Sequence, residues 1–129
     1  MVLKMPLVFT LYVLFVIFVS LFPSNRGIPH WNIDIIGHFF AYMGMAILAF
    51  LTFNRKIIRV STLFFAIALG AALEWGQSLV PGRTMSLIDG MVNTLGVFSG
   101  AFLFRLWGHY LVDYLAPFIG KGRVNTLHS

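Results

Sequence analysis

The sequence predicts an all-α integral membrane protein, with four transmembrane helices packed into a small bundle. Three observations predict it. The chain of 129 residues is 59% hydrophobic, has a mean hydropathy of +0.88 and is only 10% charged, whereas about a quarter of a soluble domain is charged. Four apolar stretches, residues 5–22, 35–53, 60–80 and 87–104, approach the ~20 residues needed to cross a hydrocarbon core about 30 Å thick. The nine Lys and Arg residues gather near the ends of these stretches. Their placement describes topology.

Lys4, the group Arg55, Lys56 and Arg59, and the pair Lys121 and Arg123 fall on one side of a four-span bundle, and only Arg26 and Arg83 on the other. The positive-inside bias then places both termini and the middle loop in the cytoplasm, with the other loops on the outer face. The net charge of +5 does not signal nucleic acid, because no basic patch is interleaved with stacking aromatics. With no cysteine, the chain has no disulfide, thiolate metal site or cysteine nucleophile. Four spans use up most of the chain, so residues 1–129 read as a single membrane domain.

The first helix is expected over residues 5–23. It exceeds the 7–15 residue apolar core usual in a signal peptide, and "FPSNRG" offers no small-x-small cleavage pattern, so it reads as a retained helix. It stops at "FPSNRGIPHWN", a loop with two prolines, a glycine and an interfacial Trp31. Lacking a polar face, it serves packing, with its phenylalanines towards lipid.

The second helix, residues 33–53, carries Asp34, His38 and Tyr42 every four residues, on one stripe. The third, residues 58–80, carries Gly70, Glu74 and Gln77 on one face. The fourth, residues 86–106, shows Ser86, Asp89, Asn93, Gly96 and Gly100 at spacings of three or four. Gly96 and Gly100 form a GxxxG, which permits close helix approach in lipid. The aromatic stretch 107–119 either prolongs this helix or lies along the interface. Residues 120–129 read as a flexible tail.

Counting about 1.5 Å per residue from the outer helix ends puts His38 roughly 6 Å deep, Glu74 about 7 Å, Asp89 about 5 Å, and Asn93 and Tyr42 about 10–12 Å. Three helices therefore bring their polar residues to one level in the outer third of the bundle. A carboxylate facing lipid costs about 2.5–3.5 kcal/mol at a helix centre, so Glu74 and Asp89 are expected to point inward and to have partners. His38, Glu74 and Asp89 are the candidate acid/base groups. Arg83, in the turn "VPGRTMS", offers a planar fork for phosphate or carboxylate. Ser86 as N-cap leaves free amides that also favour an anion. Gln77, Asn93, Asp34 and Tyr42 are orienting or substrate-binding groups. Imidazole and carboxylate also suit a divalent metal, with His38, Glu74 and Asp89 as its ligands, although no spacing here is diagnostic.

The ordered set of Asp34, His38, Phe39 and Tyr42, then "EWGQ", "PGR", Ser86, Asp89, Asn93 and Gly96, resembles the VanZ-like family of small bacterial membrane proteins over residues 34–100. The resemblance implies association with the cell envelope and with susceptibility to the glycopeptide teicoplanin, but no settled reaction. One departure is that Ile35 follows Asp34 where the family often has a basic residue. The function expected is the binding or modification of an anionic, phosphate-bearing envelope lipid or lipid-linked precursor by a hydrolase or transferase. The rival reading is a non-catalytic lipid- or partner-binding protein whose polar residues are a structural network. A transporter is disfavoured, since the inner halves of the last three helices carry almost no polar residues.

Overall fold

The structure, a computed structural model, describes residues 4–21, 31–81 and 85–120, together with 124, 125 and 127; for residues 31–34 it describes the backbone alone. Four helices form: α1 (Met5–Leu21), α2 (Trp31–Thr52), α3 (Lys56–Gln77) and α4 (Leu87–Ile119). No strand occurs among the described residues. In α2, α3 and α4 the chain is long and apolar enough to cross a membrane, whereas α1, at 17 residues, is shorter. Helix is the form expected where no water can satisfy the backbone.

The ends of the helices show how they run. Gln77 Nε2 donates to the Ser20 carbonyl at 3.2 Å, joining the ends of α3 and α1. Thr52 Oγ1 donates to the Met5 carbonyl at 3.4 Å, joining the end of α2 to the start of α1. Successive helices therefore alternate in direction. At the tight α2–α3 turn, Arg59 donates to the carbonyls of Phe53 and Phe50, the latter at 3.3 Å, and its guanidinium lies 5.2 Å from the centre of the Phe50 ring. A cation there satisfies carbonyls that the end of a helix leaves open and suits the negative end of its dipole. Arg59 thus closes a turn as well as marking topology.

The core is built where α2 meets the other three helices, with Phe9, Val13 and Val16 of α1, Tyr42, Met45, Ala46 and Ala49 of α2, Ala66 of α3 and Val97 of α4. The closest approach is between α2 and α4. A Cβ on Gly96 would run into the Phe39 carbonyl, and one on Gly100 into the Met43 carbonyl. The GxxxG is thus spent inside the chain, bringing α4 onto α2. Outward faces carry large apolar side chains such as Phe15, Phe18, Phe64, Phe98 and Phe102. Such a surface suits acyl chains better than water.

Two expectations concern the C-terminal region. Residues 107–119 prolong the fourth helix: α4 runs 33 residues without interruption, about 50 Å and well beyond the thickness of a hydrocarbon core. Pro117 is tolerated in its last turn, and Gly120, with φ 83°, ends it in a conformation open to glycine. Val124 and Leu127 pack against a second apolar cluster of Met5, Leu51, Val112 and Ile119, because α4 overshoots the α2–α3 turn and exposes apolar surface there.

Candidate functional site

His38 and Tyr42 stand one turn apart on α2, on the stripe that faces α4. Tyr42 is buried to 1% exposure, and His38 is half-buried. Asp34 belongs to the same helix, but its side chain lies outside the described residues. From α4, Asn93, also 1% exposed, brings its Oδ1 to 3.0 Å from His38 Nδ1. A carbonyl oxygen can only accept. The ring nitrogen therefore donates, and a neutral His38 keeps its lone pair on Nε2.

Glu74 enters from α3 and is 4% exposed. One of its oxygens, Oε1, lies 4.0 Å from His38 Nδ1, and the other, Oε2, accepts from the backbone N–H of Ser86 at 3.2 Å. Gly70 eases the packing here, since a Cβ on it would press on Tyr42 and Asn93 at 3.2–3.3 Å, whereas one at Gly90 would make only ordinary contact with the Glu74 stem at 4.0 Å. Asp89, in the first turn of α4, completes the group: ligand atoms of His38, Glu74 and Asp89 all lie within 4.8 Å of one another. Three helices thus converge on one imidazole and two carboxylates.

Ser86 and Gln77 both have described partners. The N-cap role of Ser86 is seen directly, since its Oγ accepts from the Asp89 N–H at 3.2 Å. The start of α4, however, is not simply an open anion seat. Glu74 already places a carboxylate there, where the positive end of the helix dipole favours it. Gln77, expected to orient a ligand, sends its amide nitrogen to Ser20 of α1 and acts as a clamp between helices. Arg83 lies outside the described residues.

Nothing in the residue pattern points to Ser20, because the acceptor is a backbone carbonyl, which every residue has. Two buried polar atoms beside the cluster, Tyr42 Oη and Asn93 Nδ2, have no hydrogen-bond partner among the described residues. Leaving a buried donor unmet costs about 1–3 kcal/mol.

Chemically, a half-buried imidazole with a fixed tautomer beside two carboxylates can move protons, hold a cation, or grip a polar group. The VanZ/LLP1 family model matches residues 7–108, which include every described residue of this cluster. No curated protein and no solved structure matches the chain.

Proposed function

The chain belongs to the VanZ/LLP1 family, and from that premise we propose that it binds or modifies an anionic, phosphate-bearing lipid or lipid-linked precursor of the bacterial cell envelope. Family membership supports an association with the envelope and with teicoplanin resistance, and three helices long and apolar enough to cross a membrane support a place in the bilayer. The observation that carries the finer reading is the convergence of His38, Glu74 and Asp89 within 4.8 Å at one end of the bundle.

In this reading Glu74 or Asp89 acts as general acid or base, with His38 as proton partner oriented by Asn93. Arg83, in the sequence between α3 and α4, supplies a fork for the anion. The site faces the periplasm or cell exterior of the cytoplasmic membrane, because the cationic residues concentrate at the other end of the bundle.

The test is chemical. Purified protein and a Glu74→Gln variant are incubated with envelope lid-precursor and phospholipid extracts, and the products are read by mass spectrometry. An altered species with the wild type alone supports modification. Retention of an anionic lipid through purification without turnover supports binding alone. Identical lipid profiles and no retained lipid in either protein overturn both.

A further inference from the structure

We propose that His38, Glu74 and Asp89 together hold one divalent cation, zinc or manganese, at the end of the bundle. This deepens the reading above and, as far as the anionic ligand is concerned, rests on it.

The donor set is the first ground. One imidazole and two carboxylates form a mixed N, O, O set, and imidazole suits zinc while carboxylate suits manganese. The three come from α2, α3 and α4, so the framework of the bundle carries them to one point. Their ligand atoms lie within 4.8 Å of one another. Around an ion bound at about 2.0–2.2 Å, ligands sit about 3–4 Å apart, a contraction that small side-chain rotations provide. Three protein ligands leave at least one position open, as catalytic rather than structural sites do.

The second ground is what surrounds the donors. Ligating histidines almost always donate their other ring nitrogen to a fixed acceptor. Here His38 Nδ1 lies 3.0 Å from Asn93 Oδ1 and 4.0 Å from Glu74 Oε1, so a fixed amide holds the ring in place beside the carboxylates. Close by are the two buried polar atoms without partners among the described residues, Asn93 Nδ2 and Tyr42 Oη. An oxygen ligand or water brought in with the ion would give them partners.

The third ground is electrostatic. A cluster holding two carboxylates repels a phosphate-bearing headgroup. A divalent ion reverses the local charge, so the same acidic residues come to attract an anion. The cation thereby links an acidic site to an anionic ligand. When bound, it supplies a Lewis acid for a phosphoryl oxygen.

Metal binding is read without lipid. Purified full-length protein is stripped with chelator, offered Mn2+ or Zn2+, desalted and analysed for metal content and affinity. About one ion per chain is expected. His38→Ala, Glu74→Gln and Asp89→Asn should each weaken binding at least tenfold, Asn93→Ala about 10–100-fold as an outer partner, and Asp113→Asn, on α4 outside the cluster, not at all. Because a ligand variant can fail to fold, the wild type is also read by pulsed EPR of bound Mn2+, where coupling to an imidazole nitrogen is expected. Failure of the wild type to retain either ion, or a Mn2+ signal without nitrogen coupling, overturns the site. So do well-folded ligand variants that bind as tightly as the wild type. The lipid profiles described above decide the earlier reading separately, since a metal-free protein that retains or alters lipid overturns the cation alone.

Discussion

His38 Nδ1 and Asn93 Oδ1 meet at 3.0 Å across 55 positions of sequence. This one contact sets the tautomer of the imidazole and ties α2 to α4 at the candidate site. Hydrogen bonds between helices in membranes average only about 0.6 kcal/mol, so its structural value is small. Its value to the chemistry is positional.

Asn93→Ala should therefore separate stability from function. The expected loss of stability is about 1 kcal/mol, while lipid turnover or retention falls by an order of magnitude or more. Thermal unfolding in detergent and the lipid assay, run on one preparation, check both. A variant that loses stability heavily yet keeps its lipid chemistry would assign Asn93 to packing.

Gly96→Ala and Gly100→Ala should loosen the pairing of α2 with α4. Their new methyl groups would meet the Phe39 and Met43 carbonyls, backbone atoms that cannot swing aside. Overpacking of this kind costs about 1–3 kcal/mol. Gly37→Ala is the control, because nothing lies within 4 Å of a Cβ there. Unfolding midpoints in detergent should fall for the first two and hold for the third.

Gln77→Leu tests the clamp to α1. The 2% exposed amide binds the Ser20 carbonyl, so its loss should destabilise the protein by about 1–3 kcal/mol. Lipid chemistry should remain within a few-fold of wild type. A large loss of turnover at unchanged stability would return Gln77 to the role of orienting a ligand.

Arg59→Ala should destabilise the α2–α3 turn, since the guanidinium serves the Phe50 and Phe53 carbonyls and lies against the Phe50 ring. Arg59→Lys restores the positive charge but not the planar fork, and should recover only part of the midpoint. Full recovery with lysine would reduce the residue to a topology signal.

The orientation of the bundle is read by labelling. The chain lacks cysteine, so a cysteine introduced at Thr84 should react with an impermeant thiol reagent applied to intact cells, and one at Asn54 only after lysis. The opposite pattern would turn the site towards the cytoplasm.

Much of this was legible along the chain. Apart from the far end of α4, the helix ends fall within about three residues of those read from hydropathy and turn residues, because a helix in lipid satisfies its own backbone and its limits are set locally. The stripe of His38 and Tyr42, the cap at Ser86, and the Gly96–Gly100 surface follow in the same way from 3.6-residue periodicity. The continuation of α4 through the aromatic stretch was open, since nothing local distinguishes a long helix from an interfacial one.

What periodicity fixes is which residues share a face, and what it leaves free is how each helix is turned against its neighbours. That rotation is set by packing between distant segments, here by two glycines on α4 settling against carbonyls of α2. Only then does Asn93 reach His38, does Glu74 take the amide at the start of α4, and does Gln77 turn to a carbonyl of α1. The sequence by itself determined the helices and the inventory of polar groups on them. The tertiary structure alone decided which of those groups meet, because side-chain chemistry acts over about 3–4 Å and local sequence says nothing about distances that short between separate helices.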